Sequence, residues 1–172
     1  MKSIYQTNFK NQKVLVRVDF NVPLNSEKIV TDNSRIIAAK KTIDKIINDG
    51  GTAILMSHLG RPKGKDPELS LIHIVKAVES VLEKPVLFTN QVIGEKTTEI
   101  VKNSKPGQIV LIENLRYYPQ EEEGNNSFAK ELSKLAGSYV NDAFGTAHRA
   151  HASTSVVAEF FKGKKFAGDL LL

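Results

Sequence analysis

The strongest constraint in this sequence is an alternation that runs along its whole length. Short β-branched, apolar segments take turns with longer amphipathic ones. Residues 13–18 (KVLVRV), 52–57 (TAILMS), 85–89 (PVLFT), 109–114 (IVLIEN) and 138–142 (SYVND) read as strands, most of them too uniformly apolar for a sheet that is wet on one face. After the first strand, Ile36, Ala39, Ile43 and Ile46/Ile47 recur at helical spacing, with Lys40, Lys41, Asp44, Lys45 and Asn48 on the other side. Asp32, Asn33 or Ser34 can cap this helix, and Gly50-Gly51 ends it. Further helices are predicted over 69–82, capped near Ser70, over 94–103 and over 127–136, with a short one over 153–161. The final KFAGDLLL reads as a strand or hinge.

Apolar strands alternating with helices require a parallel sheet covered on both faces. The expected architecture is therefore α/β: a three-layer α/β/α domain with a mainly parallel, Rossmann-like sheet, forming one domain over residues 1–172. With 41% apolar residues the chain can bury a core, which excludes intrinsic disorder as its main state. The absence of Cys excludes disulfides and thiolate metal sites. No apolar run reaches the ~18–20 residues of a membrane span, and MKSIYQTNFKNQ has no apolar stretch resembling a signal peptide. A cytoplasmic protein is expected. The charge balance, 24 basic against 19 acidic residues or +5, permits a polyanionic ligand without requiring one.

Ligands of open α/β sheets bind at the carboxyl ends of the strands, so the residues that follow each strand carry the functional information. Asp19-Phe20-Asn21 follows the first strand and Ser57-His58-Leu59-Gly60-Arg61 the second. Glu113-Asn114-Leu115-Arg116 and Asp142 through Arg149 follow two others, and Arg35 opens the first helix. Four of the five arginines thus fall on one rim, with His58, His148 and His151, while Arg17 inside a strand is the exception. Like charges repel, so such a cluster points to a small ligand carrying carboxylate and phosphate, which guanidinium groups grip bidentately. Asp19 and Asn21 suit hydroxyl contacts or the tethering of nearby arginines. Glu121-Glu122-Glu123 reads as a solvated loop ahead of a helix, and His73 as a packed or partly exposed histidine. Gly60 to Asp66 looks superficially like a phosphate-binding loop, but it has three residues between its glycines, an Asp where Ser or Thr must reach the metal, and a proline lacking an N–H. His148 and His151 lack a third partner at a spacing suited to zinc.

Four strings, RVDFNVP (17–23), SHLGRPKG (57–64), ENLRYYPQEE (113–122) and NDAFGTAHRAHAST (141–154), closely resemble the phosphoglycerate kinase family in sequence, order and spacing. The resemblance covers essentially the whole chain and only that family's N-terminal, substrate-binding domain. It implies reversible phosphoryl transfer between 1,3-bisphosphoglycerate and ADP in glycolysis. Carried over motif by motif, Asp19, Phe20 and Asn21 would hold the hydroxyl and carboxylate end of the substrate. His58, Leu59, Gly60, Arg61, Arg116 and Arg149 would complete the substrate site, and Arg35 would be the catalytic residue that neutralises the moving phosphoryl group. No metal ligand or cofactor is expected in this segment; Mg-ATP or Mg-ADP is implied for the complete enzyme, through a C-terminal nucleotide-binding domain that these residues lack. The implied partners are 3-phosphoglycerate or 1,3-bisphosphoglycerate and that second domain, with no nucleic acid and no membrane; the complete enzyme is expected to be a monomer. Alone, the segment is expected to bind substrate without turnover. Tyr117-Tyr118 and Ser155-Val156-Val157 depart from the family pattern without touching a carried-over residue. A phosphate-binding nucleic-acid module and a stand-alone sensor of sugar phosphates or carboxylates remain open as alternatives.

Overall fold

Side chains that alternate along a buried strand must be covered on two sides, and two separate cores meet that need here. The computed structural model describes residues 1–143 and 150–172. Seven strands form one sheet: β1 (Lys2–Ser3), β2 (Lys13–Val18), β3 (Thr52–Met56), β4 (Val86–Phe88), β5 (Ile109–Leu111), β6 (Ser138–Asp142) and β7 (Lys165–Ala167). Their order is β1-β7-β6-β2-β3-β5-β4, and every neighbouring pair is parallel. The α-helices are α1 (Ser34–Asn48), α2 (Val75–Leu82), α3 (Glu95–Asn103), α4 (Gln120–Glu123) and α5 (Asn126–Ser133). Val14, Val16, Val18, Ala53, Leu55 and Val140 pack with Ile36, Ile43 and Ile46 of α1 and Val78 of α2. Leu15, Ile54, Met56, Val110 and Tyr139 pack on the other face with Val101 of α3, Phe128 and Leu132 of α5, and Val157. The three-layer expectation therefore holds, with a wholly parallel sheet among the described residues.

Departures from the predicted elements have local causes. The helix expected over 69–82 is split: Leu71–Ile74 is a 3-10 turn, and α2 begins only at Val75. Buried Glu113 draws in Ser70 Oγ (2.7 Å) and the Leu71 amide (2.8 Å), which ties the start of this segment to the sheet. Residues 153–161 contain a 3-10 helix, Val156–Phe160, instead of an α-helix. The final segment is strand β7 followed by a 3-10 turn, Asp169–Leu171. β1, with two residues, is too short to leave a pattern in the sequence.

β2 and β6 lie side by side, while the chain leaves β2 toward β3 on one flank and β6 toward β7 on the other. This reversal opens a crevice at the carboxyl end of the sheet, the usual ligand position in such folds. The segments after β2, β3 and β5, and Ala143 after β6, emerge at this end.

Candidate functional site

The rim is organised by two buried side chains that the sequence reading did not assign to the site. Asn114 Oδ1 accepts from the amides of Leu59 (3.2 Å) and Arg116 (3.0 Å), and its Nδ2 donates to the carbonyls of Leu59 and Leu69 (both 2.8 Å). Glu113 accepts from the Asn114 amide (2.9 Å) besides Ser70 and Leu71. Together they fasten the loop after β3 to the turn after β5. On the other side, Asn21 Oδ1 accepts from the Gly60 amide (2.8 Å), and Ser57 Oγ accepts from the Phe20 amide (2.9 Å). Gly60 has φ +62°, and a Cβ there would approach Leu69 Cδ2 to 2.9 Å, so the backbone needs glycine at this turn.

The expected site residues mostly converge on this frame. Arg35 Nη1 donates to both carboxylate oxygens of Asp19 (3.1 and 3.0 Å), so Asp19 is the tether of Arg35. Arg116 Nη1 lies 3.4 Å from the Gly60 carbonyl, while its buried Nε has no hydrogen-bond partner among the described residues and sits 3.9 Å from Glu122. His151 Nδ1 is likewise buried and unpaired among the described residues. Phe20 and Leu59 are buried supports. Arg61 is exposed beside Gly60, and no ion pair forms to it among the described residues. Arg149 and His148 fall on 144–149, outside the described residues.

Arg17 is not the exception that its place inside β2 suggested. Its side chain is fully buried and reaches the rim from beneath, with Nη2 2.9 Å from His58 Nδ1 and Nε donating to Ser153 Oγ (2.8 Å). Glu121 corrects a second expectation. It is fully buried in α4, and its carboxylate accepts from the Ser153 amide (2.9 Å) and hydroxyl (2.5 Å). An arginine in a strand covered on both faces signals a buried acidic partner, because an unpaired charge is not tolerated there. That signal was available for Arg17; nothing in the acidic run distinguishes Glu121 from its neighbours.

Electrostatics at the rim are one-sided. Burial, reinforced by Arg17, Arg116, His151 and Arg35, pushes the His58 imidazole down to about 2, so it is neutral at ordinary pH. Burial also lowers His151, with Arg116 and Arg17 contributing, against the opposing pull of Glu121 and Glu122. Burial, with Arg116 nearby, lowers Arg17 below its ordinary value, countered by Glu121, Tyr139 and Asp19; the guanidinium stays charged. The result is a rim with guanidinium groups, a neutral His58 and, among the described residues, an unpaired Arg116 Nε–H, suited to a small polyanion. No such cluster lines the groove of about 860 Å³ at the β4 edge, whose walls include Ile72, Leu87, Phe88 and Ile100.

Comparison with known proteins decides the family. The phosphoglycerate kinase family model matches residues 4–172. The chain belongs to the phosphoglycerate kinase family. It corresponds to the N-terminal domain and spans about 40% of the length of the curated relatives it matches. The phosphoglycerate kinase of Chlorobium phaeobacteroides is 49% identical over 160 residues, 92% of this chain and 40% of that protein. The phosphoglycerate kinase of Clostridium novyi is 45% identical over 181 residues, 98% of this chain and 45% of its own length. Among solved structures, phosphoglycerate kinase from Coxiella burnetii superposes with a TM-score of 0.86 at 36% identity, covering 98% of this chain and 42% of that one. The Pyrococcus horikoshii phosphoglycerate kinase gives 0.89 at 28% identity, over 99% and 43% of the two chains.

Proposed function

We propose that this chain is the phosphoglycerate-binding part of a phosphoglycerate kinase, an enzyme that moves a phosphoryl group between 1,3-bisphosphoglycerate and ADP in glycolysis. The observation that carries this reading is the convergence of Arg17, Arg35, Arg116, His58 and His151 at the carboxyl end of the sheet, with Arg116 Nε and His151 Nδ1 buried and unpaired among the described residues. In the phosphoglycerate-consuming direction the attacking group is a carboxylate, already ionised at neutral pH, so no general base is needed. Positioning and charge neutralisation then supply the catalysis. Arg35, half-exposed and held by Asp19, is assigned in this reading to the transferring phosphoryl. Arg61, Arg116 and Arg149 serve the substrate's anionic groups, while Asp19 and Asn21 serve its hydroxyl and orient their neighbours.

Mg-ATP or Mg-ADP belongs to the remainder of such an enzyme. Among the described residues no cluster of three His, Asp or Glu side chains could hold a metal ion, so no residue here is assigned to it. The chain alone binds substrate and does not turn over. Calorimetric titration with 3-phosphoglycerate and with glycerate tests this reading: saturable binding of the first and much weaker binding of the second are expected. Equal binding of both, or of neither, contradicts it. ATP-dependent turnover by the purified chain contradicts its second half.

A further inference from the structure

We propose that Arg17, held from behind by Ser153 and Glu121, is a positioning residue that locks His58 as its Nε2–H tautomer, so that His58 meets an anionic ligand as a neutral hydrogen-bond donor. The ligand in question rests on the phosphoglycerate reading above; the tautomer does not.

The argument is one of donors and acceptors. A guanidinium has five N–H donors and no acceptor. The 2.9 Å contact between Arg17 Nη2 and His58 Nδ1 therefore makes Nδ1 the acceptor. A neutral imidazole carries one donor and one acceptor, so its proton must sit on Nε2. Protonating Nδ1 would set N–H against N–H across this contact. His58 Nε2 makes no hydrogen bond among the described residues and is the one polar atom of the ring left for a ligand.

Arg17 can impose this because its own orientation is fixed. Nη1 donates to the Val18 carbonyl, and Nε donates to Ser153 Oγ. That hydroxyl, having accepted, points its own proton to Glu121 Oε2, and the Ser153 amide fills Glu121 Oε1. Arg17, Ser153 and Glu121 are all fully buried, so water does not substitute for any of them. The charged and titratable groups facing His58 are Arg17, Arg116, His151 and Arg35; those facing Arg17 are Glu121, Tyr139, Asp19 and Arg116. Among the described residues, no acid is among the groups that act most strongly on the imidazole. A further positive charge would add repulsion to an already cationic rim, whereas a directed N–H adds a hydrogen bond without it.

The test is imidazole nitrogen NMR on this chain labelled with nitrogen-15 histidine. His58 is expected to show a pyridine-type Nδ1 and a pyrrole-type Nε2, unchanged from about pH 8 down to about pH 5, the range in which an ordinary histidine titrates. A protonated ring within that range, or the Nδ1–H tautomer, overturns the proposal, and this readout needs no variant. In Ser153→Ala the His58 signals are expected to shift toward a mixture of tautomers, with 3-phosphoglycerate binding weakened roughly tenfold. A folded Ser153→Ala chain with the wild-type His58 pattern overturns the role of Ser153 and Glu121. Failure to bind 3-phosphoglycerate with the Nε2–H tautomer in place supports the positioning role and removes the phosphoglycerate reading; binding with the wrong tautomer does the reverse.

Discussion

Replacing Glu121 by Gln separates a buried acid from two outwardly identical neighbours. The substitution keeps the shape of the side chain and removes its charge. One of the two acceptors serving Ser153 becomes an N–H₂, so either the 2.9 Å bond from the Ser153 amide is lost or the 2.5 Å bond from its hydroxyl must reverse, leaving that hydroxyl proton without this acceptor. A charge-assisted hydrogen bond is worth about 1.5–3 kcal/mol. The larger effect falls on Arg17, which remains fully buried with its strongest favourable charge, linked to it through Ser153, gone. Removing one partner of a buried charge pair typically costs about 3–5 kcal/mol, and because the hydrogen-bond loss is part of the same effect, that range stands for the whole substitution. At about 2–4 °C per kcal/mol for a domain of this size, the melting temperature should fall by roughly 6–20 °C. Glu122→Gln is the control: its side chain is 57% exposed and stands 3.9 Å from Arg116 Nε, a contact worth at most about 1 kcal/mol. Thermal melts followed by circular dichroism compare the two. The reasoning is refuted if Glu121→Gln melts no lower than Glu122→Gln.

Asn114→Ala removes four hydrogen bonds, three of which join the loop after β3 to the turn after β5 while the fourth braces that turn. Urea unfolding should show a loss of about 2–4 kcal/mol, and a loss below about 1 kcal/mol would contradict the account. Arg61→Ala should change stability by less than about 0.5 kcal/mol, because the side chain is exposed, while weakening 3-phosphoglycerate binding roughly 10- to 100-fold by calorimetry. In a complete enzyme Arg35→Ala should act mainly on kcat, by roughly 10³–10⁵ if it neutralises the moving phosphoryl.

The pH dependence of stability gives a further prediction. Burial, with Asp169 nearby, raises Asp142 from 3.8 to about 6, so its protonated form supports the fold below pH 3.8 and that support is lost as pH rises through 6. His58, lowered from 6.5 to about 2, has the opposite sign: its contribution is present above pH 6.5 and lost as pH falls. Between about pH 6 and pH 4 the two oppose each other, each at about 1.4 kcal/mol per pH unit. Asp142→Asn removes one side of that balance. Relative to wild type, its urea-unfolding free energy should therefore drop by about 2–3 kcal/mol on going from pH 6 to pH 4. Parallel curves for the two proteins would contradict the assignment.

The layers and most element positions were legible in the sequence because period-3.6 and uniformly apolar patterns report burial directly. β6 was expected over 138–142 and forms Ser138–Asp142; α1 has Asn33, one of the three candidate capping residues, at its N-cap position, but without a side-chain cap bond, and Asp32 Oδ1 instead accepts from the Ser34 amide. What stayed hidden depends on contacts between distant residues. The break between Ile74 and Val75 follows from Glu113, 42 residues beyond Leu71. Glu121 is drawn inward by Ser153, 32 residues away, and no local pattern separates it from Glu122 and Glu123. The rim itself was legible, since parallel strands deliver the residues after them to one end of the sheet. The layer beneath it was not, because Asn114 and Ser153 act through hydrogen bonds that any Asn or Ser could make.

Amide chemical-shift mapping with 3-phosphoglycerate addresses the central claim most directly, because it reports where on the chain the ligand sits. Saturable shifts should concentrate at residues 19–21, 57–61 and 114–116, with the groove lined by Ile72, Leu87 and Ile100 left unmoved. Shifts centred on that groove, or spread without saturation over surface lysines, would contradict the claim that these arginines and histidines form one anion site.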